Sequence, residues 1–148
     1  MSVHGVVVRP GDGRTFPYAG QPMRVLAETL GFAVVEMTVP PRFAGPVPHR
    51  HHGFDEGIHV LSGTLLLTYG IDDPIEAPAG SFCLAPRGVR HTFANPTDEP
   101  AQVLGIWSPG PAGLAFMADV GAVIPPGGAP DPAVVAAVYA AHDSDLLP

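Results

Sequence analysis

Four side chains carry the chemistry that this sequence offers: His49, His51 and Glu56 in PVPHRHHGFDEGIHVLSG, and His91 in GSFCLAPRGVRHTFAN. Three neutral imidazoles and one carboxylate suffice to hold one divalent transition metal per chain. They suit Fe, Mn, Ni, Cu, Co or Zn, and suit Ca or Mg poorly. His49 and His51 are two residues apart, so on an extended segment both rings project to the same face. Glu56 follows at an odd offset that strict alternation would place on the opposite face, so residues 52 to 55 must bend the chain, and Gly53 is the residue expected to allow it. A His-x-His pair alone is weak evidence in a chain with 7 histidines. The full set is much more specific.

The elements that must bring these residues together read as short strands. Apolar and β-branched runs occur at Arg24 to Leu30, Phe32 to Val39, Gly57 to Leu61, Thr64 to Tyr69, Ser81 to Ala85, His91 to Ala94 and Ala101 to Trp107. Turn residues separate them at Leu30-Gly31, Ser62-Gly63, Asp72-Asp73-Pro74, Pro86-Arg87-Gly88 and Asn95-Pro96. The spacing predicts an all-β sandwich or barrel with its core at about residues 24–107. Residues 108–130 hold several Pro and Gly and read as a long irregular connection packed over the barrel. Asp131-Pro132 fits an N-cap with proline at the first helical position, and Val134, Val135, Val138 and Tyr139 form an apolar stripe. A C-terminal helix is therefore expected from about Pro132 to His142, with the stripe as its docking surface.

Composition narrows the function. At 148 residues the chain has the size of one domain, 1–148, with a barrel core followed by a C-terminal loop and helix at 108–148. The 18 Gly and 19 Pro punctuate turns, since 46% hydrophobic and 14% charged residues argue against disorder. A net charge of −7 makes a nucleic-acid partner unexpected. Cys83, the single cysteine, reads as an inert core thiol, and no run approaches the roughly 20 apolar residues of a membrane span. The expected location is the cytoplasm. The run Val6-Val7-Val8 is expected to pair with a neighbouring subunit in a homodimer, or to close its own sheet.

The spacing of Gly45, His49, His51, Glu56 and Gly63 resembles the first motif of the cupin superfamily, although Gly45 stands closer to His49 than in the usual form. Gly80, Pro86, Gly88, His91 and Asn95 resemble the second motif without a gap, and the tail from Leu114 to Pro148 is similar to that of bacterial one-domain, quercetin-dioxygenase-like cupins. The resemblance implies a double-stranded β-helix, a jelly-roll barrel of six to eight strands, with His49, His51, Glu56 and His91 in the four ligand positions. It also implies a catalytic role for Glu56, taking the hydroxyl proton of a small enolic or phenolic substrate that reacts with O2.

Two other readings stand beside the dioxygenase-like one. The first is a non-redox cyclase or isomerase for a polyketide-like or sugar-like carbonyl compound, with His52, Tyr69 or Arg90 as the candidate proton shuttle. The second is a non-catalytic cupin that binds a small molecule or a metal. If Glu56 faces inward, Ile58 and Val60 share its face, and Phe93 and Asn95 share that of His91, which gives a mainly apolar lining. His59 falls on the opposite face. His52, in the bend, is expected at the solvent or the barrel mouth.

Overall fold

The computed structural model describes residues 4–127 and 129–148. Along β3 (Ala33–Val39) and β10 (Ala101–Ser108) every second side chain is buried, as the period of a half-covered strand requires. The two pair antiparallel with Val35 opposite Gly105. Around them stand β1 (Thr15–Tyr18), β2 (Gln21–Glu28), β5 (Asp55–Ser62) and β8 (Phe82–Ala85), giving a six-stranded sheet in the order β1-β2-β3-β10-β5-β8. A five-stranded sheet faces it, built from β4 (His49–His51), β6 (Thr64–Tyr69), β7 (Ile75–Pro78), β9 (His91–Ala94) and β11 (Ser144–Leu146) in the order β11-β4-β9-β6-β7. Met23, Val35, Val60, Leu65 and Trp107 lie fully buried in the core between the layers. Each such side chain contributes about 1.5–3 kcal/mol of burial.

All seven expected strands are present, with ends shifted by up to three residues. Four short strands were not anticipated: β1, β4, β7 and β11, each of three or four residues. Val6 and Val7 are exposed and lie in no strand, so they do not close this sheet; β1 forms its edge instead. Asn95 is fully buried, but as a clasp. Its amide donates to the carbonyls of Val39, Pro40 and Glu99, and its Oδ1 accepts from Thr97.

The expected irregular connection over 108–130 is corrected by a 13-residue helix, α1 (Gly110–Ala122). Its glycines are contact points rather than breaks. A Cβ at Gly113 would lie 2.1 Å from the Trp107 side chain, and one at Gly121 would lie 2.1 Å from the Pro17 carbonyl. The helix can approach the barrel this closely only where those side chains are missing. The second helix, α2 (Pro132–Ala141), begins as expected. Asp131 caps it by accepting from the amides of Ala133 and Val134, and Pro132 follows at once. Of its apolar stripe only Val135 and Tyr139 are buried. Among the described residues no helix is long and apolar enough to cross a membrane.

Candidate metal centre

His49 and His51 stand at the two ends of β4, and the one residue between them turns the other way, so both rings enter the barrel. His91 opens β9 directly opposite His49 in the antiparallel pair. Glu56 belongs to the other sheet, where it sits on β5 between Trp107 of β10 and Ala85 of β8. The bend at residues 52–54 is the crossing from one sheet to the other, and it explains the odd offset between His51 and Glu56. Gly53 is not the cause: its φ is not positive and a Cβ there would meet nothing within 4 Å.

The four side chains are all buried, and one ligand atom from each lies within 4.8 Å of the others. Nε2 of His51 is 3.3 Å and Nε2 of His91 is 3.7 Å from Oε2 of Glu56, yet neither nitrogen makes a hydrogen bond. Buried polar atoms without partners are costly, so the cluster does not satisfy itself. An ion with ligand distances of about 2.0–2.2 Å would satisfy both nitrogens and the carboxylate together. The residues present therefore fit a single divalent metal.

The other ring nitrogens are already committed. Nδ1 of His49 is 2.8 Å from the Val47 carbonyl and Nδ1 of His91 is 2.9 Å from that of Val89. Both carbonyls can only accept, so both Nδ1 atoms donate and both Nε2 atoms present lone pairs to the centre. For His51 the partner is the hydroxyl of Ser144, 2.7 Å away, which itself donates to the His142 carbonyl. Ser144 arrives on β11, which pairs with β4 with Ser144 opposite His51.

Electrostatics divide the four. Burial, and then the neighbouring His91, push His49 down to about 4, so it is neutral and ready to ligate at neutral pH. Burial alone would raise the Glu56 carboxyl and lower His91. The His51 and His91 rings instead hold Glu56 well below the usual carboxylate range, and Glu56 raises His91.

A cavity opens onto the centre, lined by apolar side chains including Met37, Ile58, Phe93 and Met117, with no lysine or arginine. Ile58 and Phe93 take the places alternation gave them. Several aromatic residues were not expected here. Phe54 stacks on His51 with ring centroids 4.3 Å apart, and Phe116 of α1 meets the same ring edge-on at 4.7 Å. Tyr139 of α2 packs against His49 at 5.0 Å, and Tyr18 of β1 completes the wall. Phe54 was the most detectable of these, as a large apolar residue in an otherwise polar bend.

The expected proton shuttles are elsewhere. His52 is exposed, 2.8 Å from Asp145, and Arg90 binds the carbonyls of Gly70 and Pro148. Tyr69 is half-buried outside the cavity wall. His59 lies on the outer face, half-buried beside Phe82, as expected. Cys83 is half-buried against the core and burial raises its thiol, consistent with an inert role.

The Cupin domain family model matches residues 35–107, which span both sheets and all four ligand positions. This is the cupin fold. No curated protein sequence matches the chain. Among solved structures the chain is similar to KdgF from Halomonas sp., with a TM-score of 0.63 and 19% identity over 72% of this chain and 94% of that one. The polyketide cyclase RemF from Streptomyces resistomycificus gives 0.61 and 21%, covering 71% and 80%. A sugar phosphate isomerase from Silicibacter pomeroyi gives 0.56 and 21%, covering 68% and 74%. At these identities the likeness is one of fold.

Proposed function

We propose that this cupin is a metal-dependent, dioxygenase-like enzyme acting on a small enolic or phenolic molecule. The observation that supports this reading is a three-histidine, one-glutamate centre in an apolar and aromatic cavity that lines no cationic side chain. Such a cavity favours an uncharged organic body and a ligating oxygen, and disfavours a phosphorylated sugar, whose charge would go unpaired. A divalent metal held by His49, His51, Glu56 and His91 supplies Lewis acidity and, if redox-active, electron transfer to O2. Glu56 is the one acidic side chain among the cavity's described lining residues, so its carboxylate is the acceptor for a substrate hydroxyl proton. Phe54 and Phe116 pack on the His51 ring and Tyr139 on those of His49 and His51, which shields these imidazoles from water.

One observation favours a second reading, a non-redox cyclase for a polyketide-like carbonyl compound. Tyr18 and Tyr139 bring two phenolic hydroxyls to an otherwise apolar wall, where they can orient a carbonyl chain. The separating experiment measures metal content in protein purified without chelator or metal resin, beside a His49→Ala/His91→Ala control, and then O2 uptake with enolic and phenolic compounds. The expected result is near-stoichiometric Fe, Mn, Ni, Cu or Co, absent from the control, with substrate-dependent O2 consumption. Zinc with turnover but no O2 uptake favours the cyclase. Failure to hold any metal after reconstitution overturns both and leaves a small-molecule-binding cupin.

We also place the protein in the cytoplasm as a homodimer. The support is a single cysteine, and an outer sheet face on which Phe82, Leu84 and Leu61 are exposed beside half-exposed Leu104 and Ile106.

A further inference from the structure

The metal cavity is too small for the molecule it is built to act on. Its open volume is about 30 Å³, room for little more than a water, whereas sites that enclose small ligands run to about 300–1,000 Å³. Beside it lies an open groove of about 740 Å³, bounded by residues 40–47, by α2 and by residues 124–126. The two spaces share Pro46, Val120 and Tyr139 as common wall. Tyr139 thus stands as a partition, packed on His49 and lining the groove as well.

The groove has a defined chemistry. Phe43, Val47, Ile124 and Val135 line it together with several prolines, and its polar side chains are Gln21 and Arg42. Arg42 is already engaged by the Asp98 carboxylate at 2.7 Å and the Pro96 carbonyl at 2.6 Å. Among the described lining residues Arg42 is the one charged side chain, and its ion pair with Asp98 leaves it poorly placed to hold an ionic ligand. The helix that forms one wall is lightly held, since only Val135 and Tyr139 of its ten residues are buried.

We propose that this groove is the second half of the substrate site. It seats the apolar body of a ligand whose oxygen-bearing end reaches the His49, His51, Glu56 and His91 centre, and Tyr139 turns aside to join the two spaces. The inference rests on the functional reading above and narrows its substrate class. The ligand is an uncharged amphiphile with an extended alkyl or fused-ring body.

Trp107, the single tryptophan, lines the metal cavity and serves as the reporter. Binding of pentane-2,4-dione, nonane-2,4-dione and tridecane-2,4-dione is measured by its fluorescence, in zinc-loaded protein and in the His49→Ala/His91→Ala variant. Each methylene seated in the groove is expected to tighten binding about fourfold, so the nine-carbon dione, with four more methylenes, should bind about 250-fold better than the five-carbon one. Val47→Arg and Ala44→Arg each place a charge at an exposed wall position and should abolish that gain. Tyr139→Ala, which removes the partition, should speed association.

Equal affinity across the series, with pentane-2,4-dione still bound, overturns the groove and leaves the reading of the centre intact. So does a gain that survives both arginine substitutions. A tail-length gain equal in zinc-loaded and ligand-deleted protein overturns the claim that one molecule occupies both spaces. No binding by any member overturns the groove and the functional reading together, and an unchanged association rate in Tyr139→Ala overturns the partition.

Discussion

His49 and His91 of the candidate centre oppose one another across the ordinary imidazole range, which sets how the metal-free protein responds to pH. His49 is pushed down to about 4, so between there and about 6.5 the unfolded chain carries a proton that the folded chain refuses. Its contribution to stability is complete above that window and is lost as pH falls through it. Glu56, also depressed, extends the loss to lower pH. His91 is raised, so above about 6.5 the folded chain holds a proton the unfolded chain has released, and that contribution is lost as pH rises through its shifted value. Thermal unfolding of metal-free protein should therefore be highest near pH 6.5, with each group contributing a slope of at most about 1.4 kcal/mol per pH unit. His49→Gln should flatten the acid limb and leave the alkaline limb; a profile unchanged by it would contradict the neutral, buried state of His49. This cluster was legible because a metal site would restrict both residue type and spacing, and the four side chains carry both signals. Tyr18 and Tyr139 were not, because an aromatic residue that walls a cavity has the same sequence signature as one that fills a core.

At the scale of elements, the five-stranded sheet orients the centre as well as supplying three of its ligands. β11 adds no ligand, yet it sets Ser144 against Nδ1 of His51. Ser144→Ala should weaken metal affinity by about 10–100-fold while leaving the folded spectrum intact, as is usual when a ligand's outer hydrogen bond is removed. Competition with a chelating dye measures it, and an unchanged affinity would mean that packing by Phe54 and Phe116 alone fixes the ring. The longer strands announced themselves through alternation. β4 and β11, three residues each, are too short to show a period, and their pairing joins residues 93 apart in sequence. α1 was hidden for another reason. The glycines that let it touch Trp107 and Pro17 are the residues that lower helix propensity, so local preference and tertiary contact point in opposite directions. The end of the chain was easier, because Asp131 and Pro132 mark the start of α2 by local chemistry alone.

For the whole molecule, the six-stranded sheet buries one face on the core, and on the other an apolar patch lies at the β8 end, away from the Arg24–Glu36 ion pair and the Thr38–Gln102 hydrogen bond. Phe82 and Leu84 on edge strand β8 are more than half exposed, with Leu61 beside them on β5. Contiguous apolar surface of this kind marks an interface, and an exposed edge strand invites pairing. The homodimer proposed above predicts that size-exclusion chromatography with light scattering gives twice the chain mass. Leu84→Lys should return the protein to monomer without loss of metal; a monomeric wild-type protein would refute the assembly. The acidic net charge fits this picture of a chain whose contacts are apolar and small-molecule in kind. That much was readable from composition. Which side of β8 turns outward was not, because Phe82 to Leu84 is apolar at every position and alternation had no polar residue to orient it.

The hydrogen bond between His51 and Ser144 also sets a clock. At about 5–20 residues per second, a ribosome delivers His51 roughly 5–20 seconds before the residue that orients it, 93 positions later. During that interval the nascent chain displays its histidines one by one to whatever ions surround it. The centre reaches its finished geometry only when β11 docks, so its last orienting contact is also among the last parts of the chain to be made.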